Sequence, residues 1–133
     1  MKQEDKDLLL QDLCGRIPYG VKCEVYNRIG ILDEISSYGA AVNYSNGEDT
    51  TCRIECVKPY LFPLSSMTEE QKYICPIGVG NLETFIEKES WAYLELSFDS
   101  ILRFIDWLNK NHFDYRGLIE KGLAIDCTNL DIY

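Results

Sequence analysis

His112 is the only histidine in the chain, and Asp114, Tyr115 and Arg116 follow within four positions. A histidine beside a carboxylate is the least that general acid–base work needs, a tyrosine can pass on a proton, and an arginine can hold an anion. These four residues are therefore the candidate catalytic or ligand-binding group. What usually accompanies such chemistry is missing: there is no G-x-S-x-G turn and no cysteine in a nucleophile signature. The bland reading is a corner of the fold, with His112 satisfying the last carbonyls of one helix and Asp114 capping the next.

Other groupings carry less. Asp106, Asp114, Glu120, Asp126 and Asp131 match no calcium loop. The cysteines at 14, 23, 52, 56, 75 and 127 are spaced neither as a disulfide framework nor as zinc ligands, so they are expected to be free thiols. "GVGN" from Gly78 lacks the third glycine of a phosphate loop. No metal and no cofactor is expected.

The elements that must position the quartet can be read from spacing. Leu9, Leu10, Leu13 and Ile17 recur at helical intervals, with Gly15 and Pro18 as stop signals, which predicts a helix over about Glu4 to Cys14. "VKCEVY" alternates as a half-buried strand, and Ile29 to Ile35, Ala40 to Ser45 and Thr50 to Val57 follow as three more, with Asn46-Gly47 a strong hairpin signal. Pro59 and Pro63 are expected to end strand pairing. Thr68 with Gln71 forms a capping box for a short helix, Pro76 to Asn81 reads as a loop, and Ser90 to Leu96 as a last strand. Ser97 caps a helix running to the corner, whose wide apolar face implies burial on two sides. A second helix is expected over Tyr115 to Lys121, closed by Gly122 and Leu123.

The sum is one α+β domain over residues 1–133: a helix and β-meander through residue 63, then a connector helix, a strand and a helical pair. The sheet is expected to be antiparallel, four to five strands, open or closed as a small SH3-like barrel. A chain of 133 residues buries roughly two-thirds of its extended surface, enough for a core.

The formal charge is −9, with acids spread along both halves. Such a surface repels phosphate backbones and anionic lipid, which argues against direct nucleic-acid binding and favours a protein partner. No signal peptide and no apolar run of membrane-spanning length is visible, so a cytoplasmic protein is expected, as a monomer or small homo-oligomer. Tyr60, Phe62, Trp91, Tyr93, Trp107 and Tyr133 are the candidate interface anchors.

"KPYLFPLSSMTEEQKY" and "DWLNKNHFDYRGLIEKGLAID", about a third of the chain, resemble segments shared by small uncharacterised phage- and prophage-associated proteins of gut bacteria. The resemblance implies a bacterial or phage cytoplasmic setting and transfers no catalytic residue. The leading expectation is a non-enzymatic protein-binding module with an acidic, aromatic surface. A ligand binder or enzyme using the sheet-to-helix crevice near His112, and an SH3-like nucleic-acid-associated module, are the alternatives.

Overall fold

A computed structural model describes residues 1–88, 90, 92 and 94–133. Helix α1 (Gln3–Arg16) opens the chain, with Leu9 and Leu13 fully buried as their spacing predicts. A 3-10 turn over Ile17–Tyr19 ends it, and Gly20 takes the left-handed backbone at φ 67°. Strands β1 (Lys22–Val25), β2 (Arg28–Ser36), β3 (Gly39–Tyr44) and β4 (Asp49–Cys52) then form an antiparallel meander. The β1–β2 turn holds Tyr26 and Asn27 at φ 52° and 63°. Both central residues of this tight turn need positive φ, easy for Asn27 and strained for a bulky Tyr26. Gly39 at φ 143° is required by a close approach, since a Cβ there would lie 2.0 Å from the Cys52 carbonyl oxygen.

The strand expected over Thr50 to Val57 stops at Cys52. The chain turns through a 3-10 segment, Ile54–Cys56, that buries Ile54 and leaves the β4 edge to rejoin the sheet beside β1. It does so as β5 (Lys58–Pro63), a strand that the two prolines hide in the sequence. In the antiparallel ladder with β1, Pro59 lies opposite Cys23 and Lys58 opposite Glu24. The Leu32 N–H donates to the Val21 carbonyl, so Val21 and Cys23 turn their backbone groups toward β2 and Glu24 toward β5, and the missing N–H of Pro59 is not one the β1–β5 ladder uses.

Helix α2 (Glu69–Ile74) begins at the Thr68–Gln71 capping box, with both reciprocal bonds formed. Helix α3 (Val79–Lys88) occupies a stretch that reads as a loop at its start; Leu82 and Phe85 bury against α4, the Phe85 ring lying edge-on to Phe104 at 5.3 Å. The strand expected over Ser90 to Leu96 has no counterpart at Ser90, Ala92 and Leu94 to Leu96, and Trp91 and Tyr93 lie outside the described residues. Helix α4 (Phe98–Lys110) starts at Ser97, which accepts from the Ser100 N–H. It buries Phe104 and Leu108 among α3 and β6 and meets α1 where Asn109 lies against Gly15, while Phe98 and Leu102 at its other edge are exposed.

After the corner come two short strands, β6 (Phe113–Asp114) and β7 (Ile125–Asp126), both parallel to β5. The second helix expected here is replaced by turns, because Gly117 at φ 72° breaks the helical path one residue after Arg116. Among the described residues the sheet is open and mixed, seven strands in the order β4-β3-β2-β1-β5-β6 with β7 on β5, rather than all antiparallel or an SH3-like barrel. The α+β class stands. Two apolar clusters meet along β5: α1 with the inner sheet face and Leu118 and Leu123, and α3 with α4, Met67 and Phe113. Each fully buried leucine contributes about 1.5–3 kcal/mol.

Candidate functional site

The corner holds the quartet, but not as one reactive group. His112 takes the left-handed backbone at φ 62°, and its main-chain groups do the capping expected of its side chain: its N–H donates to the Asn109 carbonyl, and its carbonyl accepts from the Phe62 N–H at 2.8 Å. Its imidazole lies flat on the Tyr133 ring, centroids 3.7 Å apart and 8° from parallel. Burial, with help from the Arg16 and Lys22 charges, pushes the His112 pKa down to about 4. The ring is therefore neutral near pH 7.

Asp114 does act as a cap. Its two oxygens accept from the N–H groups of Leu118 (3.0 Å) and Ile119 (2.9 Å), which shape the turn rather than start a helix. Tyr115 donates its hydroxyl to Asn109 Oδ1 at 2.9 Å, and both Arg16 and Arg116 lie over its ring. Arg116 reaches Asp12 Oδ1 at 3.7 Å.

Sequence reasoning passed over the pair at the centre of this corner. Asp12 and Arg16, both fully buried on α1, are joined by bonds of 2.6 and 3.1 Å, and Arg16 Nη2 also donates to the Phe113 carbonyl at 2.7 Å. Their i, i+4 spacing with leucines at 9 and 13 was the available signal, obscured because charged residues on a helix are usually solvated. The guanidinium ties α1 to β6, and so the two apolar clusters to each other. A crevice of about 240 Å³ opens beside Asp114, Tyr115 and Arg116, with Phe85 and Leu64 in its wall; His112 does not line it. Arg16 Nη1 and His112 Nδ1 are buried with no hydrogen-bond partner among the described residues.

Tyr133 completes the corner. Its hydroxyl accepts from the Lys22 N–H (2.9 Å) and donates to the Tyr60 carbonyl (2.9 Å), bridging β1 and β5 two residues beyond Glu24 and Lys58. Lys22 Nζ donates to the Ile132 carbonyl.

Of the other expected anchors, Tyr60 is buried, Phe62 packs against Phe113 and Tyr133, and Trp107 is stacked between Phe104 and Phe113. Their areas are spent inside the fold. Of the described anchors Tyr133 is exposed, at 42%; other large apolar groups that face solvent include Tyr26, Tyr38, Tyr73 and Phe98, with Ile29 and Ile31.

Ile29 and Ile31 stand on the outer face of the sheet, 48% and 45% exposed. Directly paired residues in an antiparallel ladder share a face, so Glu24 flanks Ile29, while Lys22 and Asn43 flank Ile31 and Asp49 extends that row. A bulge between Leu32 and Glu34 returns Glu34 to this face beside Ala41 and Thr51. Two cations share this face: Lys22, whose Nζ donates to the Ile132 carbonyl, and Lys58, opposite Glu24. Glu24, Glu34 and Asp49 form no ion pair among the described residues. A shallow hollow of about 270 Å³ lies over Gly30, between Ile29, Ile31 and Tyr44.

Among the described residues no three His, Cys, Asp or Glu side chains gather as metal ligands, and no helix is long and apolar enough to cross a membrane. All six cysteines are free; burial raises the Cys23 thiol and pushes Cys127 up to about 11. The chain matches no protein-family model, and no curated protein or solved structure is significantly similar to it.

Proposed function

We propose that this protein is a binding module for another protein and that it engages its partner through the outer face of the sheet. The observation that carries the reading is the exposed pair Ile29 and Ile31, set among three carboxylates, Glu24, Glu34 and Asp49, that form no ion pair among the described residues. Apolar side chains ringed by polar groups are the usual anatomy of an interface, and the ring here selects a partner with a basic surface. The setting we propose follows the resemblance to phage- and prophage-associated proteins: a cytoplasmic partner of host or phage origin.

The His112 corner supports this reading indirectly, because apart from Arg16 Nη1 and His112 Nδ1 its described polar groups bond within the fold. His112 is neutral and covered by Tyr133, and Asp114 is spent on two backbone bonds.

Selection of random peptides against the folded protein tests the proposal. The expected result is enrichment of peptides rich in Lys and Arg whose binding falls at least tenfold in Ile29→Asp and Ile31→Asp. Enrichment of no peptide, or binding indifferent to both substitutions, would overturn it.

A further inference from the structure

The β4 strand is one end of the sheet, and its unused edge is defined by the hairpin that precedes it. Tyr44 N–H donates to the Glu48 carbonyl at 2.8 Å, and the Gly47 N–H donates back to the Tyr44 carbonyl. Counting along the register from this bonded pair, Thr50 opposite Val42 and Cys52 opposite Ala40 turn their backbone groups toward β3. Asp49 and Thr51 fall at the alternate positions, so their N–H and C=O groups point outward, and both residues are exposed.

Natural sheets blunt such an edge with short strands and charges, and the four-residue β4 with Asp49 has both features. Two things are not explained by blunting. A hollow of about 450 Å³ runs against this edge, lined by Tyr26, Tyr38, Ala40, Thr51 and Cys52, with Glu34 and Arg53 as its charged groups. Its aromatic walls are also unusually presented: Tyr38 is 93% exposed, and Tyr26, 60% exposed, is held in a strained left-handed turn.

We infer that β4 accepts an extended basic segment of the partner protein as an added antiparallel or parallel strand, seated in the hollow between Tyr26 and Tyr38. This deepens the proposed function and rests on it. The backbone of the incoming strand bonds to Asp49 and Thr51. Its side chains then divide by the two-residue period of a strand. One set continues the row of Ala40 and Cys52, which suits small apolar groups; the hollow is lined from this row and, through Glu34, Ala41 and Thr51, from the outer one. The other set continues the outer row, where the residue beside Asp49 has its Cβ about 5 Å away and is best filled by lysine or arginine. Glu34 reinforces that choice, and Arg53 marks the end at which a basic residue is disfavoured.

The test uses the intact protein and a peptide of about eight residues alternating valine and lysine. Its partners are a glutamate counterpart and a copy N-methylated at alternate residues, read by fluorescence anisotropy. The expected result is saturable binding of the lysine peptide, at least tenfold weaker for the glutamate peptide and for the N-methylated copy. Thr51→Pro removes an outward N–H that the β3 ladder does not use, and binding should fall at least tenfold in that variant. Should Thr51→Pro fail to fold, the N-methylated peptide on the unaltered protein decides alone. Binding that survives both Thr51→Pro and N-methylation but is lost in Ile31→Asp would overturn strand addition while leaving the face as the interface. Absence of binding by the lysine peptide overturns the inference, and the face is judged separately by the random-peptide selection.

Discussion

Arg16 and Asp12, one turn apart on α1 and neither exposed to solvent, are joined by two hydrogen bonds of 2.6 and 3.1 Å, and a third carries the guanidinium to the Phe113 carbonyl. Removing one member of a buried pair strands the other charge. Asp12→Ala is therefore expected to cost about 3–5 kcal/mol, and the double change Asp12→Leu with Arg16→Met to recover most of it. Urea unfolding midpoints of the three proteins measure this. A double variant no more stable than Asp12→Ala would contradict it.

Tyr133→Phe keeps the ring on His112 and deletes the hydroxyl between Lys22 and Tyr60. It leaves a backbone donor and acceptor without their bridge, at a cost of about 1–2 kcal/mol. Hydrogen exchange at the Lys22 amide should accelerate in the variant, and unchanged exchange would show that the bridge does not hold β1 to β5.

The His112 pKa lies at about 4 in the folded protein, below its ordinary value of 6.5, because burial and the cations Arg16 and Lys22 oppose its protonation. Between those values the unfolded chain binds a proton that the folded chain refuses. Stability attributable to this group is thus fully present above pH 6.5 and is lost as the pH falls toward 4. The loss is about 1–2 kcal/mol, less than the whole shift implies since the ring is partly in solvent. Thermal unfolding of His112→Asn, a residue that tolerates the left-handed backbone, should lack this component of the acid slope. An acid slope equal to that of the unaltered protein would contradict the assignment.

Asp114→Ala removes two bonds to backbone N–H groups and should cost about 1–2 kcal/mol. Far-ultraviolet circular dichroism should scarcely change, because turns rather than a helix follow Asp114. A clear fall in helical signal at equal foldedness would argue against that description.

Local signals carried much of the fold: the leucine spacing of α1, the Asn46-Gly47 hairpin, the Thr68 capping box and the Ser97 cap all appear where the sequence places them. What was not legible depends on long-range partners. Pro59 looks like the end of pairing until β1 is set beside it. Val79 and Gly80 look like loop until Leu82 and Phe85 meet α4. Tyr115 to Lys121 has cap signals at both ends, but Gly117 adopts a left-handed conformation that caps do not report. The candidate site divided in the same way. Asp114 as a cap was readable, whereas the stacking of His112 on Tyr133 joins residues far apart in sequence. Aromatic residue type alone did not separate Tyr60 in the core from Tyr38 at the surface.

The outer face is the centre of the account, and Ile31 is its most direct probe. Being 45% exposed, it can be replaced by Asp with little loss of stability. Isothermal titration of a basic peptide selected against the unaltered protein should show at least a tenfold weaker Kd for Ile31→Asp, with the unfolding midpoint preserved. Equal affinity in a folded Ile31→Asp protein would contradict the claim that this face binds the partner.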